Sequence, residues 1–135
     1  MSTITRSLLE SYYQAINAQD MEQFLGLLAD DVTHDVSQGE REVGKSAFAR
    51  YMKRKMSRFR EHIFNIEIMT NEDGSRAATE YTVLGVYLDT EEGFPAANGQ
   101  TYRLPGGAFF EIADGKISRV SGHYNLRNWL MQIST

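Results

Sequence analysis

The stretch that decides the fold runs from Gln100 to Asn125, QTYRLPGGAFFEIADGKISRVSGHYN. Two runs rich in aromatic and β-branched residues flank Asp114-Gly115. That pair supplies the positive φ angles of a type I′ turn, so the stretch predicts a long antiparallel hairpin. Its second arm alternates because strand side chains repeat every two residues. Ser118, Val120, Gly122 and Tyr124 share one face, and Ile117, Arg119, Ser121 and His123 share the other. The first face suits a cavity wall and the second a wetter surface. Pro105-Gly106-Gly107 interrupts the first arm, where proline withholds a ladder donor and glycine permits a bulge or bend. The expectation is a sheet curved around something.

Upstream, Ile63 to Met69 and Arg76 to Leu88 predict two further strands around Asn71-Glu72-Asp73-Gly74, a turn of the same kind. Ser46 to Phe59 predicts a helix with Phe48, Tyr51, Met52, Met56 and Phe59 on its apolar side. Its other side is basic: Lys45, Arg50, Lys53, Arg54, Lys55, Arg58 and Arg60 are half of the fourteen Lys and Arg residues. Such a row reads first as a solvated helix face. Asp31 to Val36, DVTHDV, predicts a short strand with Val32, His34 and Val36 on one face, Thr33 and Asp35 on the other, and Gln38-Gly39 ending it. Before it, Ile4, Leu8, Leu9, Tyr12, Ala15 and Ile16 recur at helical spacing, with Ser2, Thr3 or Thr5 available as N-cap. Asp20 and Gln23 resemble a capping box for a short second helix carrying Phe24, Leu27 and Leu28. Glu91 to Gly99 reads as a polar loop over a cavity mouth, and Leu126, Trp129, Leu130 and Ile133 as one or two turns packing back on the sheet.

The order is three helices, one short strand between the second and third, then four antiparallel strands. This is an α+β plan: a cone-shaped curved antiparallel sheet with three N-terminal helices enclosing a pocket. The open end of the cone is a natural small-molecule site.

With 135 residues, 41% hydrophobic and 24% charged, the chain is expected to form one domain, residues 1–135, with one core. It contains no cysteine, which removes disulfides, thiolate nucleophiles and cysteine-held zinc. A net charge of -4 argues against a nucleic-acid partner. No apolar run is long enough to cross a bilayer and the N-terminus lacks an apolar signal core, so no membrane partner and a cytoplasmic location are expected. His34, His62 and His123 show no spacing that would hold a metal. Gly39 to Ser46, GEREVGKS, matches the P-loop pattern G-x-x-x-x-G-K-[ST]. Glu40 and Glu42 would, however, bring carboxylates against the phosphates, and no parallel β-α units follow, so the stretch reads as a turn whose Gly44 opens the third helix.

The run SYYQAINAQDMEQFLGLLADDVTHDVSQG, together with FFEIADGKISRV, resembles the ketosteroid isomerase branch of the nuclear transport factor 2-like superfamily, also called SnoaL-like. HDVSQGEREVG, LPGGAFFEIADGKI and YNLRNWL are similar to a ketosteroid isomerase-related subgroup. The resemblance covers nearly the whole chain. It implies the fold and a homodimer, and it leaves the activity open among isomerases, cyclases, dehydratases, epoxide hydrolases and binding subunits. In the isomerases a helix tyrosine and a protonated aspartate form an oxyanion hole while a second aspartate moves the proton. The register puts Tyr12 on that tyrosine. It puts Val36 at the base position, with Asp35 one residue earlier, and Gly107 at the position of the protonated aspartate. Authentic steroid isomerisation is therefore not expected.

The remaining chemistry centres on His34, whose imidazole titrates near neutral pH, as general base. Asp35 is the alternative base, or the group that orients the imidazole. A bulge would decide which of the two points inward, and His34 as a hydrogen-bonded structural residue is the alternative to both. Tyr12 is either a donor to a developing oxyanion or a core aromatic with a satisfied hydroxyl. Val36, Gln38, Tyr51, Tyr102, Phe109, Val120 and Tyr124 are expected to line the site. The sequence thus points to a cofactor-free protein acting on an apolar carbonyl compound by isomerisation, dehydration or cyclisation. The alternative is a non-catalytic binding or assembly module on the same fold.

Overall fold

The computed structural model describes residues 3–134. The elements are α1 (Thr3–Ala18), α2 (Met21–Gly26), β1 (Leu28–Asp35), β2 (Arg41–Val43), α3 (Lys45–Arg58), β3 (Phe59–Thr70), β4 (Arg76–Tyr87), β5 (Thr101–Ala113), β6 (Lys116–Tyr124) and α4 (Leu126–Ile133). The strands form one sheet in the order β2-β1-β6-β5-β4-β3. Helices α1 and α3 pack over β3 and β1, and α4 packs over β5. The α+β plan and the curved sheet are as expected, but the element count is not. Two strands rather than one separate α2 from α3, a fourth helix follows the sheet, and β1 runs parallel to β6. The sheet is therefore mixed. No helix among the described residues is long and apolar enough to cross a membrane.

Local chemistry explains most boundaries. Asp114 and Gly115 take φ 53° and 73°, the pair of positive angles that a type I′ turn requires. The Asn71–Gly74 connection differs: only Gly74 turns positive, and the Asp73 carboxylate accepts from the Ser75 N–H and hydroxyl at 2.9 and 2.6 Å. Asp20 caps α2 by accepting from the Gln23 N–H at 3.0 Å. The Ser2 cap lies outside the described residues; Thr3 and Thr5 fall inside α1, where the Thr5 hydroxyl donates to the Gly74 carbonyl. Ile4 is 78% exposed and does not join the core. Phe59 is not helical, because its backbone is extended (φ -133°, ψ 128°) and it opens β3. The P-loop-like stretch is drawn out as β2 and pairs with β1, so no phosphate cradle forms.

Pro105-Gly106-Gly107 does not break β5, which stays in register with β4 through all three. Pro105 lies one residue beyond the last β5–β6 pair, Gly106 with Tyr124, where β5 has only β4 beside it. The irregularity falls instead between Glu111 and Ile112 of that pair, and it turns Ile117 into the core beside Val120 rather than outward with Arg119. Two side-chain amides then tie helices to strand backbones. Asn17 of α1 donates to the Ile63 carbonyl and accepts from its N–H, both at 2.8 Å, and Gln132 of α4 does the same to Arg103 at 2.9 and 2.8 Å. Each clamp satisfies one strand residue's donor and acceptor while fixing where a helix crosses.

Glycine sets the tightest approach in the sheet. Gly85 of β4 stands opposite Tyr102 of β5, whose ring lies so close that a Cβ at position 85 would come within 2.1 Å of it. Gly106 serves Tyr81 likewise, at 2.6 Å. Tyr102, laid flat in this way, packs against Phe59 and Trp129 with centroids 6.2 and 5.4 Å apart. Gly85→Ala is predicted to destabilise the protein by about 1–3 kcal/mol or more through overpacking. Urea unfolding checks this, and unchanged stability would mean that Tyr102 has room to move away.

Candidate functional site

A cavity of about 110 Å³ lies between α1, α3 and the inner face of the sheet. A wider vestibule of about 300 Å³ adjoins it, and the two share Ser37, Tyr51, Lys55, Phe59 and Tyr124 as walls. The loop after β4 roofs the vestibule. There Phe94 packs tilted against Phe59 and edge-on against Trp129, and Glu91 accepts from Arg54 at 2.9 Å. The expectation that Glu91–Gly99 covers a cavity mouth agrees with this placement.

His34 projects from β1 into the cavity and is 5% exposed. Its ring stacks on Phe48 at 4.0 Å and meets the edge of Tyr51 at 4.7 Å. Nδ1 is 3.6 Å from Oε1 of Glu42, the residue opposite it in the β1–β2 register, and neither atom has a closer polar partner. With Nδ1 turned to Glu42, Nε2 is the nitrogen left to the cavity. Burial, and then the nearby Lys55 ammonium, lower the imidazole pKa to about 4 against a smaller opposing pull from Asp35. His34 is therefore neutral at pH 7, with Nε2 able to accept a proton.

Lys55 and Glu61 also line the cavity. The Lys55 Nζ lies 3.6 Å from Glu61 Oε1, and the Tyr102 hydroxyl donates to Glu61 Oε2 at 2.5 Å. Burial is the largest single influence and works against the ammonium, but the Glu61 carboxylate together with the oxygens of Tyr51, Tyr81 and Tyr124 outweighs it and holds the lysine charged. Tyr12 of α1 opens onto the same space. Its ring packs against Phe24 and Phe110, burial raises its pKa well above the ordinary value, and its hydroxyl has no hydrogen-bond partner among the described residues. It is thus a neutral phenol able to donate.

Of the residues expected from the sequence, the cavity brings together Tyr12, His34, Tyr51, Val120 and Tyr124. Val36 and Gln38 stand in the vestibule, because β1 ends at Asp35 and the chain turns through Gln38 at φ 63°. Three expectations are corrected. Asp35 points to the other side of β1, where Arg41 and Arg119 donate to it at 2.6 and 2.9 Å; the Arg41 hydrogen bond, against a smaller effect of burial, lowers its pKa to about 2. Phe109 is 51% exposed on the outer sheet face against His123, as strand alternation from the buried Ala108 and Phe110 requires. Tyr102 lies behind Glu61 rather than in the cavity wall. Lys55, Glu61 and Glu42 were missed, although the first two had a signal. Lys55 is four residues beyond Tyr51 and seven beyond Phe48, on the apolar stripe, and Glu61 alternates with Phe59 and Ile63.

A lowered imidazole pKa has a consequence for stability. Between pH 6.5 and about 4 the unfolded chain binds a proton that folded His34 refuses, so stability falls with pH across that window, by at most about 1.4 kcal/mol per pH unit for one proton. Asp35 adds its own loss only lower, between pH 3.8 and about 2. Urea unfolding of wild type and His34→Gln at pH 7, 6, 5 and 4.5 should show a flatter dependence in the variant. Equal slopes would mean that His34 titrates normally.

The model of the SnoaL-like domain family matches residues 9–120. Among solved structures, a candidate polyketide cyclase from Pseudomonas putida KT2440 is 53% identical, with a TM-score of 0.94 over 98% of this chain and 99% of that one. Another from Xanthomonas campestris pv. campestris is 47% identical, with a TM-score of 0.95 over 97% of each. A candidate ketosteroid isomerase from Kribbella flavida is 26% identical, with a TM-score of 0.68 over 90% of this chain and 78% of that one. No curated protein matches the chain. With the family model spanning most of its length and two close structural relatives superposing nearly end to end, the chain belongs to the SnoaL-like domain family on the nuclear transport factor 2-like fold.

Proposed function

We propose that the protein is a cofactor-free enzyme that moves a proton next to the carbonyl of a small, largely apolar substrate. The observation that carries this reading is a neutral imidazole and an unpartnered phenol facing one aromatic-walled cavity. His34 Nε2 takes the proton from the carbon beside the carbonyl, while its Nδ1–H is directed at Glu42, which steadies the imidazolium that forms. The electron pair left behind moves onto the carbonyl oxygen, and the Tyr12 hydroxyl donates to that developing oxyanion. The His34 proton then returns to another carbon or to a departing oxygen, or the enolate carbon attacks a second carbonyl to close a ring, the first carbonyl re-forms, and the new alkoxide takes the proton held by His34. The names of the Pseudomonas and Xanthomonas relatives favour the last of these, cyclisation.

Asp35 drops out of the mechanism because both its oxygens are engaged by arginines. The same reading takes the outer sheet face, where Phe109 and Leu84 are 51% and 44% exposed, as the surface of a homodimer. The alternative, a binding module without catalysis, shares the cavity and differs only in whether a proton moves.

Exchange of the hydrogens next to the carbonyl, followed by NMR for a panel of small ketones and diketones in deuterated water, separates the two. The expected outcome is enzyme-dependent exchange that falls by roughly 10²–10⁴-fold in His34→Ala, falls less in Glu42→Gln, and is unchanged in Asp35→Asn. The wild-type rate should stay level from pH 7 down to about pH 5 and drop as His34 protonates near 4. Binding with no exchange at any pH would leave only the binding module.

A further inference from the structure

Several polar groups of the cavity are unpaired. Lys55, Tyr12, Tyr51 and Tyr81 all line it, and none of the four has a hydrogen-bond partner among the described residues. Glu61, His34, Gln19, Ser37 and His123 line the same space with acceptor atoms, yet none of them hydrogen-bonds these four, and one Glu61 oxygen is already occupied by the Tyr102 hydroxyl. The ammonium's charged partner, Glu61 Oε1, lies at 3.6 Å, beyond hydrogen-bond reach, so the N–H directions of Lys55 are open. The vestibule contributes Arg54 as its other cation, and Arg54 is held by Glu91 at 2.9 and 3.2 Å. Lys55 is thus the cation that remains available at the point where cavity and vestibule meet.

The Lys55 side chain is 32% exposed, so solvent can reach its ammonium from the vestibule, and a ligand that displaces that solvent must supply acceptors in its place. We infer that the ligand of this site is a compact organic anion, a carboxylate or an enolised β-dicarbonyl, whose charged oxygen takes Lys55 as counter-ion with the tyrosine hydroxyls as further donors. Size limits the part that enters. A cavity of about 110 Å³ is somewhat smaller than the roughly 150 Å³ that encloses benzene, so it admits at most one small ring or a part of one. The remainder of a longer ligand lies in the vestibule against Phe59, Phe94 and Trp129. A β-dicarbonyl also suits His34. Its acidic central C–H loses a proton to a weak base far more readily than a simple ketone does, and Lys55 beside the enolate oxygen lowers that barrier further. The inference rests on the cavity assigned above, and its carboxylate arm does not depend on any proton being moved.

Matched probes test it. Binding of benzoate against benzamide, and of the 1,3-cyclohexanedione anion against cyclohexanone, is measured by NMR titration at pH 7 and low salt. Each anion should bind about tenfold tighter or more than its neutral counterpart. The preference should vanish in Lys55→Met and survive in Lys55→Arg. The double variant Lys55→Met/Glu61→Gln, which leaves no unpaired carboxylate, should also show no preference, and this holds the test open if Lys55→Met alone fails to fold. Equal binding of neutral and anionic probes, no binding of either anion, or an anion preference retained without Lys55 would overturn the inference. Cyclohexanone exchange that depends on His34, with no anion preference, would overturn this inference while leaving the proposed proton transfer standing.

Discussion

The close approach of Tyr102 to Gly85 connects the sheet to the chemistry of the cavity. A bare backbone at position 85 lets the Tyr102 ring lie across the neighbouring strand beneath Trp129, with its hydroxyl reaching Glu61. That hydrogen bond satisfies one oxygen of a largely enclosed carboxylate and turns the other toward Lys55. The partial burial of both charges is tolerable only because each has the other and Glu61 has a donor besides. A side chain at position 85 would disturb this arrangement from the far side of the core, without touching the cavity itself.

The same electrostatics govern His34. A cation that stays charged inside the cavity acts with burial to suppress protonation of the imidazole. Asp35 opposes this only as the smallest of the three influences, facing outward with its carboxylate engaged by Arg41 and Arg119. The carboxylate nearest the ring is Glu42, contributed by a strand of three residues that exists only as a partner for β1. The short β1–β2 hairpin therefore supplies the polar neighbour of the candidate base, and its sequence, which carries a nucleotide-binding pattern, serves a different purpose.

Much of the architecture was legible because local rules govern it: the Asp-Gly turn, the two-residue alternation of the last strand, and the helical spacing around Tyr12. Pairing between distant segments was not. Nothing local in Leu28–Asp35 announces a parallel partner in β6, and the bulge that turns Ile117 inward arises from how β5 and β6 must match. At the site, His34, Tyr51, Val120 and Tyr124 followed from periodicity and Tyr12 from the family resemblance on a core-facing helix position, whereas Lys55 was hidden by its type. Long cationic side chains on a helix usually reach water, and only the angle it shares with Phe48 and Tyr51 marks it as different. Phe109 falls on the outer face because β5 alternates around it from the buried Ala108 and Phe110. Asp35 stood on the opposite face from His34 by simple alternation, and β1 kept that alternation.

The account depends on a neutral histidine whose Nδ1–H faces Glu42 and whose Nε2 faces the cavity. Ring ¹⁵N NMR of His34 reports both nitrogens directly. The account predicts a protonated Nδ1 and an unprotonated Nε2 at pH 7, with the ring taking a second proton only as the pH approaches about 4. A proton on Nε2 in the neutral ring, or titration near the ordinary histidine value, would contradict it.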